Sequence, residues 1–329
     1  MQSTSEKIPV TIISGFLGSG KTTLVNYILT QQHERRIAII QNEFGEIGID
    51  GDLIESDSQD IFELNNGCIC CTVQGDLLRA LHDLKQTGKP IDHLLIETTG
   101  LADPRPIAQT FLNGSNIQND FKLDGLVCTV DAKHIQFQLK ESPEAKHQIR
   151  SANMLLINKT DLVDEHEFAT VKKRLNEINP LVEIRETQFG QVPLHQILDI
   201  QGFDVNKIDV ETTSNTTDHS HHTHEHHEHD DDMMSISLEY SGYVDLERLD
   251  AWLSLLLNVL QRNRIFRIKG IVNLFDEERR YIFQVVHQMV NGNFGKPWED
   301  QQRTNRFVFI GKKLNKKLLR DGFEACLKQ

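Results

Sequence analysis

The sequence lacks the features that mark secreted and membrane-spanning proteins. No apolar segment in its 329 residues is long enough to span a bilayer, and residues 1–7 contain no signal-peptide core. Cysteine is scarce as well: there are five, an odd number, and three of them lie within residues 68–71. That spacing is a poor disulfide framework and favours a thiolate metal site. We therefore expect a cytoplasmic protein in a reducing compartment, with no membrane partner.

Basic residues are outnumbered by acidic ones. The chain has 35 lysines and arginines against 48 aspartates and glutamates, which gives a net charge of −13 with neutral histidines. Such a chain repels nucleic acids and anionic lipids, so neither is expected as its main partner. With 38% hydrophobic residues it can nevertheless bury a core, and its length suffices for one large or two ordinary domains.

A glycine-rich stretch at 15–23, GFLGSGKTT, matches the phosphate-binding pattern G-x-x-x-x-G-K-[ST]. The β-branched run 10–13 before it predicts a strand, and the apolar spacing of 22–29 after it predicts a helix. Lys21 can reach the β- and γ-phosphates, the Thr22 hydroxyl can bind Mg²⁺, and the helix start adds a positive dipole end. The nucleotide contacts predicted here are Gly15, Gly18, Ser19, Gly20, Lys21, Thr22 and Thr23.

Three cysteines at 68, 70 and 71 follow a predicted buried strand (36–41) and a polar loop that contains Glu46. In an extended backbone Cys68 and Cys70 face one side, so Cys71 joins them only if the chain bends. Thiolates suit Zn²⁺ or Cu(I), and Glu46 is our candidate for a fourth ligand. The alternative is that these cysteines are small side chains packing a loop.

The segment 93–100, HLLIETTG, predicts a strand that ends in an acid, with a glycine three residues later. This pattern is typical of the Walker B strand of a P-loop protein, which ends in a carboxylate. Glu97 can act through water on Mg²⁺ or on the attacking water, and the Gly100 N–H can face the γ-phosphate. Leu101 stands where Ras-like GTPases place a water-orienting glutamine. We therefore predict slow intrinsic hydrolysis, below about 1 s⁻¹.

Apolar runs at 125–131 and 152–157 predict two more buried strands, and the second leads into Asn158-Lys159-Thr160-Asp161. This is the pattern Asn-Lys-x-Asp. The Asp161 carboxylate can accept hydrogen bonds from the ring N–H and the amine of guanine, which adenine cannot supply. Asn158, Lys159 and Asp161 therefore favour GTP over ATP.

A histidine-rich run at 218–232 lies where the hydrophobic periodicity fades. It cannot form a core, so we expect it to be disordered. Imidazoles beside carboxylates bind Zn²⁺, Ni²⁺ or Co²⁺ loosely, so the run is a candidate metal-binding segment. The alternative interpretation is a solvated linker that binds no metal. The candidate metal ligands are His219, His221, His222, His224, His226, His227 and His229.

The remaining chain predicts a second, smaller domain. An alternating strand (235–240) precedes an apolar helical stripe from Leu246 to Leu257. Three further strands and a closing helix are predicted at 265–274, 280–290, 305–310 and 314–327. The fold class is therefore α/β with a mostly parallel, doubly wound sheet in a P-loop GTPase domain (1–205), a linker (206–234) and an α+β domain (235–329).

These motifs together resemble the CobW-like family of P-loop GTPases, which are metallochaperones and assembly factors of metal centres. The matching segments, in family order, are 15–23, 42–45, 67–71, 97–104 and 158–161, and 267–270 and 306–311 look like the family's C-terminal domain. The resemblance implies a GTPase whose Cys-x-Cys-Cys motif binds zinc between the nucleotide switches. It also implies a histidine-rich linker in many members and delivery of metal to a client metalloprotein.

Three functions remain open at this point. The chain can be a GTP-dependent metal carrier, a GTP-gated assembly factor for a metalloenzyme or cobalamin-type centre, or a metal store based on the histidine-rich run. The ligand types suit Zn²⁺, Co²⁺, Ni²⁺ and Cu(I) to overlapping degrees, so the sequence does not specify the metal. It leaves homo-oligomer formation and the client open as well.

Overall fold

The computed structural model describes residues 7–31, 35–41, 73–113, 117–203, 233–261, 264–286, 288–298 and 303–328. The chain divides into two compact units after Phe203. In the described ranges, no helix is both long and apolar enough to cross a membrane.

The first unit is built on six parallel strands in the order β2-β3-β1-β4-β5-β6. β1 lies inside the sheet, with β2 and β3 on one side and the later strands on the other, so the winding direction reverses there. The carboxyl ends of strands at such a reversal are where open α/β sheets bind ligands. The elements are β1 (Ile8–Gly15), α1 (Lys21–Thr30), β2 (Ile37–Gln41), α2 (Val73–Gln86), β3 (His93–Glu97), α3 (Arg105–Asn113), β4 (Phe121–Asp131), α4 (Ile135–Glu141), α5 (Pro143–Ser151), β5 (Met154–Asn158), α6 (Glu165–Ile178) and β6 (Glu183–Glu186).

Both faces of this sheet are covered, which explains why its strands read as continuous apolar runs. On one face Val127 of β4 and Leu156 of β5 pack with Leu24 and Ile28 of α1. On the other face the neighbouring residues of the same strands pack with α4, α5 and α6. The predicted doubly wound parallel sheet is therefore confirmed, with all six strands parallel.

The second unit is a five-stranded antiparallel sheet in the order β10-β9-β8-β11-β7. Its elements are β7 (Met233–Ser241), α7 (Leu246–Leu255), β8 (Ile265–Val272), β9 (Arg279–Val286), β10 (Met289–Pro297), β11 (Thr304–Lys312) and α8 (Lys316–Glu324). Asp245 and Asn315 cap the two helices by accepting the Arg248 and Leu318 backbone N–H groups. A predominantly aromatic and aliphatic core lies between the helices and the sheet, as the stripe beginning at Leu246 predicts.

The second unit has one more strand than the sequence indicates. The single strand predicted at 280–290 is wrong, because β9 and β10 form an antiparallel hairpin with Val286 opposite Met289. His287 and Gln288 are the two residues between these strands. Neither is a glycine, proline, asparagine or aspartate, so the sequence carries no turn signal there. β7 begins at Met233, within the interval assigned to the linker, and pairs with β11 from its first residue.

Candidate nucleotide site

The phosphate-binding loop leaves the carboxyl end of β1 and enters α1. Gly15 ends the strand, residues 16–20 form the loop, and Lys21, Thr22 and Thr23 form the first turn of the helix. A Cβ on Gly15 would lie 2.4 Å from the Thr129 carbonyl oxygen, and one on Gly20 would lie 2.2 Å from Nδ2 of Asn158. Because both gaps are too small for a side chain, the glycines let the loop pass close to the ends of β4 and β5.

Ser19 in the loop and Lys21 in the first helical turn have buried side chains that hold the shape of the loop. The hydroxyls of Ser19 and Thr129 are 2.7 Å apart, which joins the loop to β4. The Lys21 ammonium donates to the carbonyl oxygens of Gly15 at 3.0 Å and Phe16 at 3.3 Å, and Lys21 is only 8% exposed. The lysine charge is therefore held against the loop backbone rather than extended into solvent.

Glu97, at the carboxyl end of β3, lies beside the start of α1. The Thr22 hydroxyl donates to Glu97 Oε1 at 2.9 Å, and the Gln41 side-chain amide donates to Oε2 at 2.9 Å. The structure thus brings Thr22 and Glu97 together as the sequence indicates. Gln41, which ends β2, was not singled out. Its position as the last polar residue of a parallel strand beside β3 is the signal that would have identified it.

The turn after β3 packs against the phosphate-binding loop. Gly100 is buried, and a Cβ there would lie 2.4 Å from Cδ2 and 2.8 Å from the backbone nitrogen of Leu17. The two backbones therefore approach closely, and only glycine fits between them. Leu17 and Leu101 are about half exposed beside this contact.

Asn158 connects loops from three parts of the first unit. Its Nδ2 donates to the Ser19 carbonyl at 3.1 Å, while Oδ1 accepts the N–H groups of Lys159 at 2.9 Å and Gly190 at 3.3 Å. Its side chain is 3% exposed. Asn158 thereby fixes the phosphate-binding loop, the Asn-Lys-x-Asp segment and the loop after β6 relative to one another.

Lys159 is held by a buried acid that the sequence analysis did not assign. Its Nζ donates to Asp131 Oδ2 at 2.8 Å, and His134 Nδ1 lies 3.0 Å from the same oxygen. Burial alone would raise the pKa of Asp131, but the hydrogen bonds from Lys159 and His134 leave it below its usual value. Asp131 ends β4 beside β5, so the same reasoning about strand ends would have identified it.

Asp161 is exposed in a short 3₁₀ turn (Thr160–Leu162) directly after Lys159. The loop after β6 lies beside it, because the Thr187 N–H donates to the Ile157 carbonyl at 2.8 Å and Thr160 Oγ1 donates to the Thr187 carbonyl at 3.3 Å. An exposed carboxylate next to an ordered loop of backbone amides can accept two hydrogen bonds from a guanine edge.

Several predicted metal ligands lie outside the described residues. These are Glu46, Cys68, Cys70, Cys71 and the histidines between 219 and 229. Within the described ranges, no three His, Cys, Asp or Glu side chains are grouped so that they could hold a metal ion. The two cysteines the structure does describe are buried, and burial raises the pKa of Cys128 to about 12 and of Cys326 to about 11.

The described residues fit a magnesium nucleotide. A Cβ added at Gly18 would meet no atom within 4 Å, so the loop has open space there for phosphate oxygens near its backbone amides, and Lys21 supplies a positive charge beside it. Thr22 and Glu97 together offer a hydroxyl and a carboxylate, which are ligand types that Mg²⁺ prefers. Asp161 and the 187–190 loop supply groups suited to a base at the far end.

Comparison with known families agrees with this geometry. The CobW/HypB/UreG nucleotide-binding domain matches residues 9–186, and the cobalamin synthesis protein cobW C-terminal domain matches residues 233–327. The two matches together span most of both compact units.

Individual relatives match over nearly the whole chain. The zinc chaperone YjiA of Escherichia coli K12 is 33% identical over 325 residues, which cover 98% of this chain and 99% of YjiA. The zinc chaperone CobW of Pseudomonas aeruginosa is 34% identical over 359 residues, covering 98% and 92% of the two chains. The crystal structure of the Zn(II)-bound YjiA GTPase from E. coli superposes with a TM-score of 0.61 at 28% identity, covering 98% of this chain and 100% of that one.

Proposed function

This chain belongs to the CobW/HypB/UreG family of P-loop GTPases, and we propose that it is a GTP-hydrolysing chaperone that carries Zn²⁺ to a client metalloprotein. The hydrogen bond from Thr22 to Glu97 is the observation that supports the GTPase part most directly. It joins the phosphate-binding helix to the acid-tipped strand, which are the two elements from which P-loop NTPases hold Mg²⁺.

The roles of the described residues follow from their chemistry. Lys21 stabilises charge on the terminal phosphates, and the loop amides from 15 to 20 bind the phosphate oxygens. Thr22 would hold Mg²⁺ directly and Glu97 would hold it through water, and the ion would supply positive charge beside the phosphate oxygens. Asp161 recognises guanine, with Lys159 and Asn158 fixing the surrounding loops.

Zinc is the cargo rather than a resident cofactor in this proposal. Cys68, Cys70 and Cys71, with Glu46 as a candidate fourth ligand, are soft and charged groups suited to Zn²⁺. The relatives named zinc chaperones support this choice, and so does the Zn(II)-bound crystal structure of YjiA. The histidines between 219 and 229 would capture metal loosely before it reaches the cysteines.

One contact suggests how nucleotide and metal would be coupled. The cysteines lie between β2 and α2 in the sequence, and Gln41 at the end of β2 donates to Glu97. A change at Glu97 when the γ-phosphate is lost would therefore reach Gln41, the last described residue before the stretch of chain that contains the cysteines. Coupling of this kind is reciprocal, so Zn²⁺ must change GTP affinity by the factor by which GTP changes Zn²⁺ affinity. Leu101 in place of a water-orienting glutamine keeps intrinsic turnover below about 1 s⁻¹.

The test is a Zn²⁺ titration against a competing chelator, with residues 218–232 deleted and the protein free of nucleotide, bound to GDP, or bound to a non-hydrolysable GTP analogue. We expect one tight Zn²⁺ per chain and at least about a fivefold difference in affinity between the two nucleotide states. Cys70→Ala should abolish tight binding, while Cys326→Ala, at a buried cysteine of the second unit, should retain it. Equal zinc affinity in all three nucleotide states would contradict coupled delivery.

A further inference from the structure

Gln148, on α5, is a buried side chain to which nothing above gives a function. It is 1% exposed. Its Nε2 donates to the carbonyl oxygens of Gly100 at 3.1 Å and Ala102 at 3.0 Å. Both partners are acceptors, so the amide must face them with its nitrogen, and its orientation is unambiguous. Its Oε1 has no hydrogen-bond partner among the described residues, so the amide is held through its two N–H groups alone.

The two carbonyls belong to the turn that follows Glu97. The Ala102 N–H donates to the Thr99 carbonyl at 3.1 Å, which closes residues 99–102 into a turn. At one end, the Thr98 N–H donates to the Ile13 carbonyl of β1 at 2.9 Å. Gln148 binds the other end, so the turn is attached to β1 on one side and to α5 on the other.

This attachment determines which way the backbone N–H groups of the turn point. In a trans peptide the C=O and N–H of one unit point in opposite directions. Because the Gly100 carbonyl points at Gln148, the Leu101 N–H points away from α5. Leu17 confines the Gly100 backbone on another side, because the Leu17 backbone nitrogen lies only 2.8 Å from the position that a Cβ on Gly100 would occupy. A change of peptide orientation at Gly100 would therefore break at least one bond to Gln148.

We propose that Gln148 is a positioning residue for GTP: it holds the Gly100 turn so that its N–H groups are directed to the γ-phosphate, and it thereby sets the preference for GTP over GDP. This rests on the proposed GTPase function and adds a residue to it. Gln148 acts through the turn and touches no reacting atom. α5 leads through residues 152–153 into β5, which ends at Asn158.

The experiment compares the full-length wild type with Gln148→Met, which keeps the length of the side chain and removes both donors. The readout is the ratio of dissociation constants for GDP and a non-hydrolysable GTP analogue, together with kcat for GTP. Because two neutral hydrogen bonds are lost, we expect the preference for the GTP analogue over GDP to fall about tenfold. We expect kcat to fall by a similar factor and the affinity for GDP to change by less than about twofold. Gln138→Met, at a buried glutamine of α4 that has no described bond to the turn, should leave the ratio unchanged.

A ratio equal to that of the wild type would overturn the inference, whether or not thermal stability falls, because a purely structural role changes stability alone. If Gln148→Met does not fold, Gln148→Glu decides by the same ratio, since a carboxyl group has at most one donor for the two carbonyls. If the wild-type protein hydrolyses GTP and the variant keeps the wild-type ratio of dissociation constants, only the role of Gln148 is refuted. Wild-type protein that neither binds nor hydrolyses GTP refutes the proposed function itself.

Discussion

The amino and carboxyl ends of the parallel sheet both bury polar side chains from β3 and β4, but they use them differently. At the carboxyl end Glu97 accepts hydrogen bonds from the side chains of Thr22 and Gln41. Asp131 accepts one from Lys159 Nζ and two from the backbone N–H groups of Lys133 and His134. At the amino end His93 Nε2 lies 2.8 Å from Thr11 Oγ1, which donates to Asp124 at 3.1 Å. Asp124 then accepts two backbone N–H groups, those of Ile200 and Gln201, at 3.0 and 2.9 Å.

The difference lies in the donors to Glu97 and Asp124. The side chains of Thr22 and Gln41 can release Glu97 for a metal ion, so this part of the carboxyl end is suited to ligand exchange. Backbone donors have no such freedom, and Asp124, at 3% exposure, fastens the segment 199–202 to the sheet. Substitutions at the carboxyl end should therefore change chemistry with little change in stability, and substitutions at the amino end should do the reverse.

Lys21→Ala should have the largest effect. The substitution removes the charge held over the phosphate-binding loop, so we expect kcat for GTP to fall about 100- to 1,000-fold. The urea midpoint should change little, because the loss of the two hydrogen bonds to the Gly15 and Phe16 carbonyls is offset by no longer burying an ammonium charge. Phosphate release at saturating GTP measures the effect.

Lys133→Ala, which removes an exposed ion pair with Glu167, is the matched control and should keep wild-type kcat. A kcat within about threefold of wild type in Lys21→Ala would remove Lys21 from the catalytic machinery.

Asp124→Ala tests the other side of the comparison. It leaves two backbone N–H groups and the Thr11 hydroxyl without their acceptor in a buried place, so we expect unfolding free energy to fall by about 3 kcal/mol. The nucleotide constants should stay within about twofold of wild type under conditions where the variant is folded.

Urea denaturation measures the loss in Asp124→Ala, and Asp120→Ala is its control. Asp120 forms a partly exposed ion pair with Lys85, so its removal should cost less than about 1 kcal/mol. If Asp124→Ala weakened GTP binding as strongly as it weakened folding, the two ends of the sheet would not be functionally separate.

The sequence predicts those parts of the site that depend on local pattern. The phosphate-binding loop, the strand ending in Glu97 and the Asn-Lys-x-Asp segment are each continuous stretches, and periodicity places them on the strands and turns where the structure has them. Partnerships between distant residues, such as Gln41 with Glu97 or Lys159 with Asp131, were missed because they depend on which strands are neighbours. The β9–β10 hairpin was missed for the opposite reason, a local turn without turn residues. The cysteine and histidine ligands stay predictions.

The smallest expected effect is a pH dependence of stability that originates at the amino end. Burial lowers the pKa of His93 from 6.5 to about 4, while Asp124 and Asp199 oppose the shift and Arg35 and Lys122 add to it. At pH values between these two pKa values, the unfolded chain binds a proton at His93 that the folded chain does not. The contribution of neutral His93 to the unfolding free energy is therefore fully present above pH 7 and is lost on acidification. From pH 7 to about pH 5.5 we expect His93 to reduce the unfolding free energy by about 1 kcal/mol.

Urea denaturation at several pH values tests this, with His93→Gln as the variant whose side chain cannot be protonated. His93→Gln should flatten the pH dependence by about 1 kcal/mol over that interval, while His82→Gln, at an exposed histidine of α2, should leave it unchanged. GTP turnover should follow the wild-type pH profile in both variants, because His93 belongs to the end of the sheet that faces away from the phosphate-binding loop. An unaltered pH dependence of stability in His93→Gln would mean that the buried imidazole takes up its proton without unfolding, and that the amino end is less closed than its hydrogen bonds indicate.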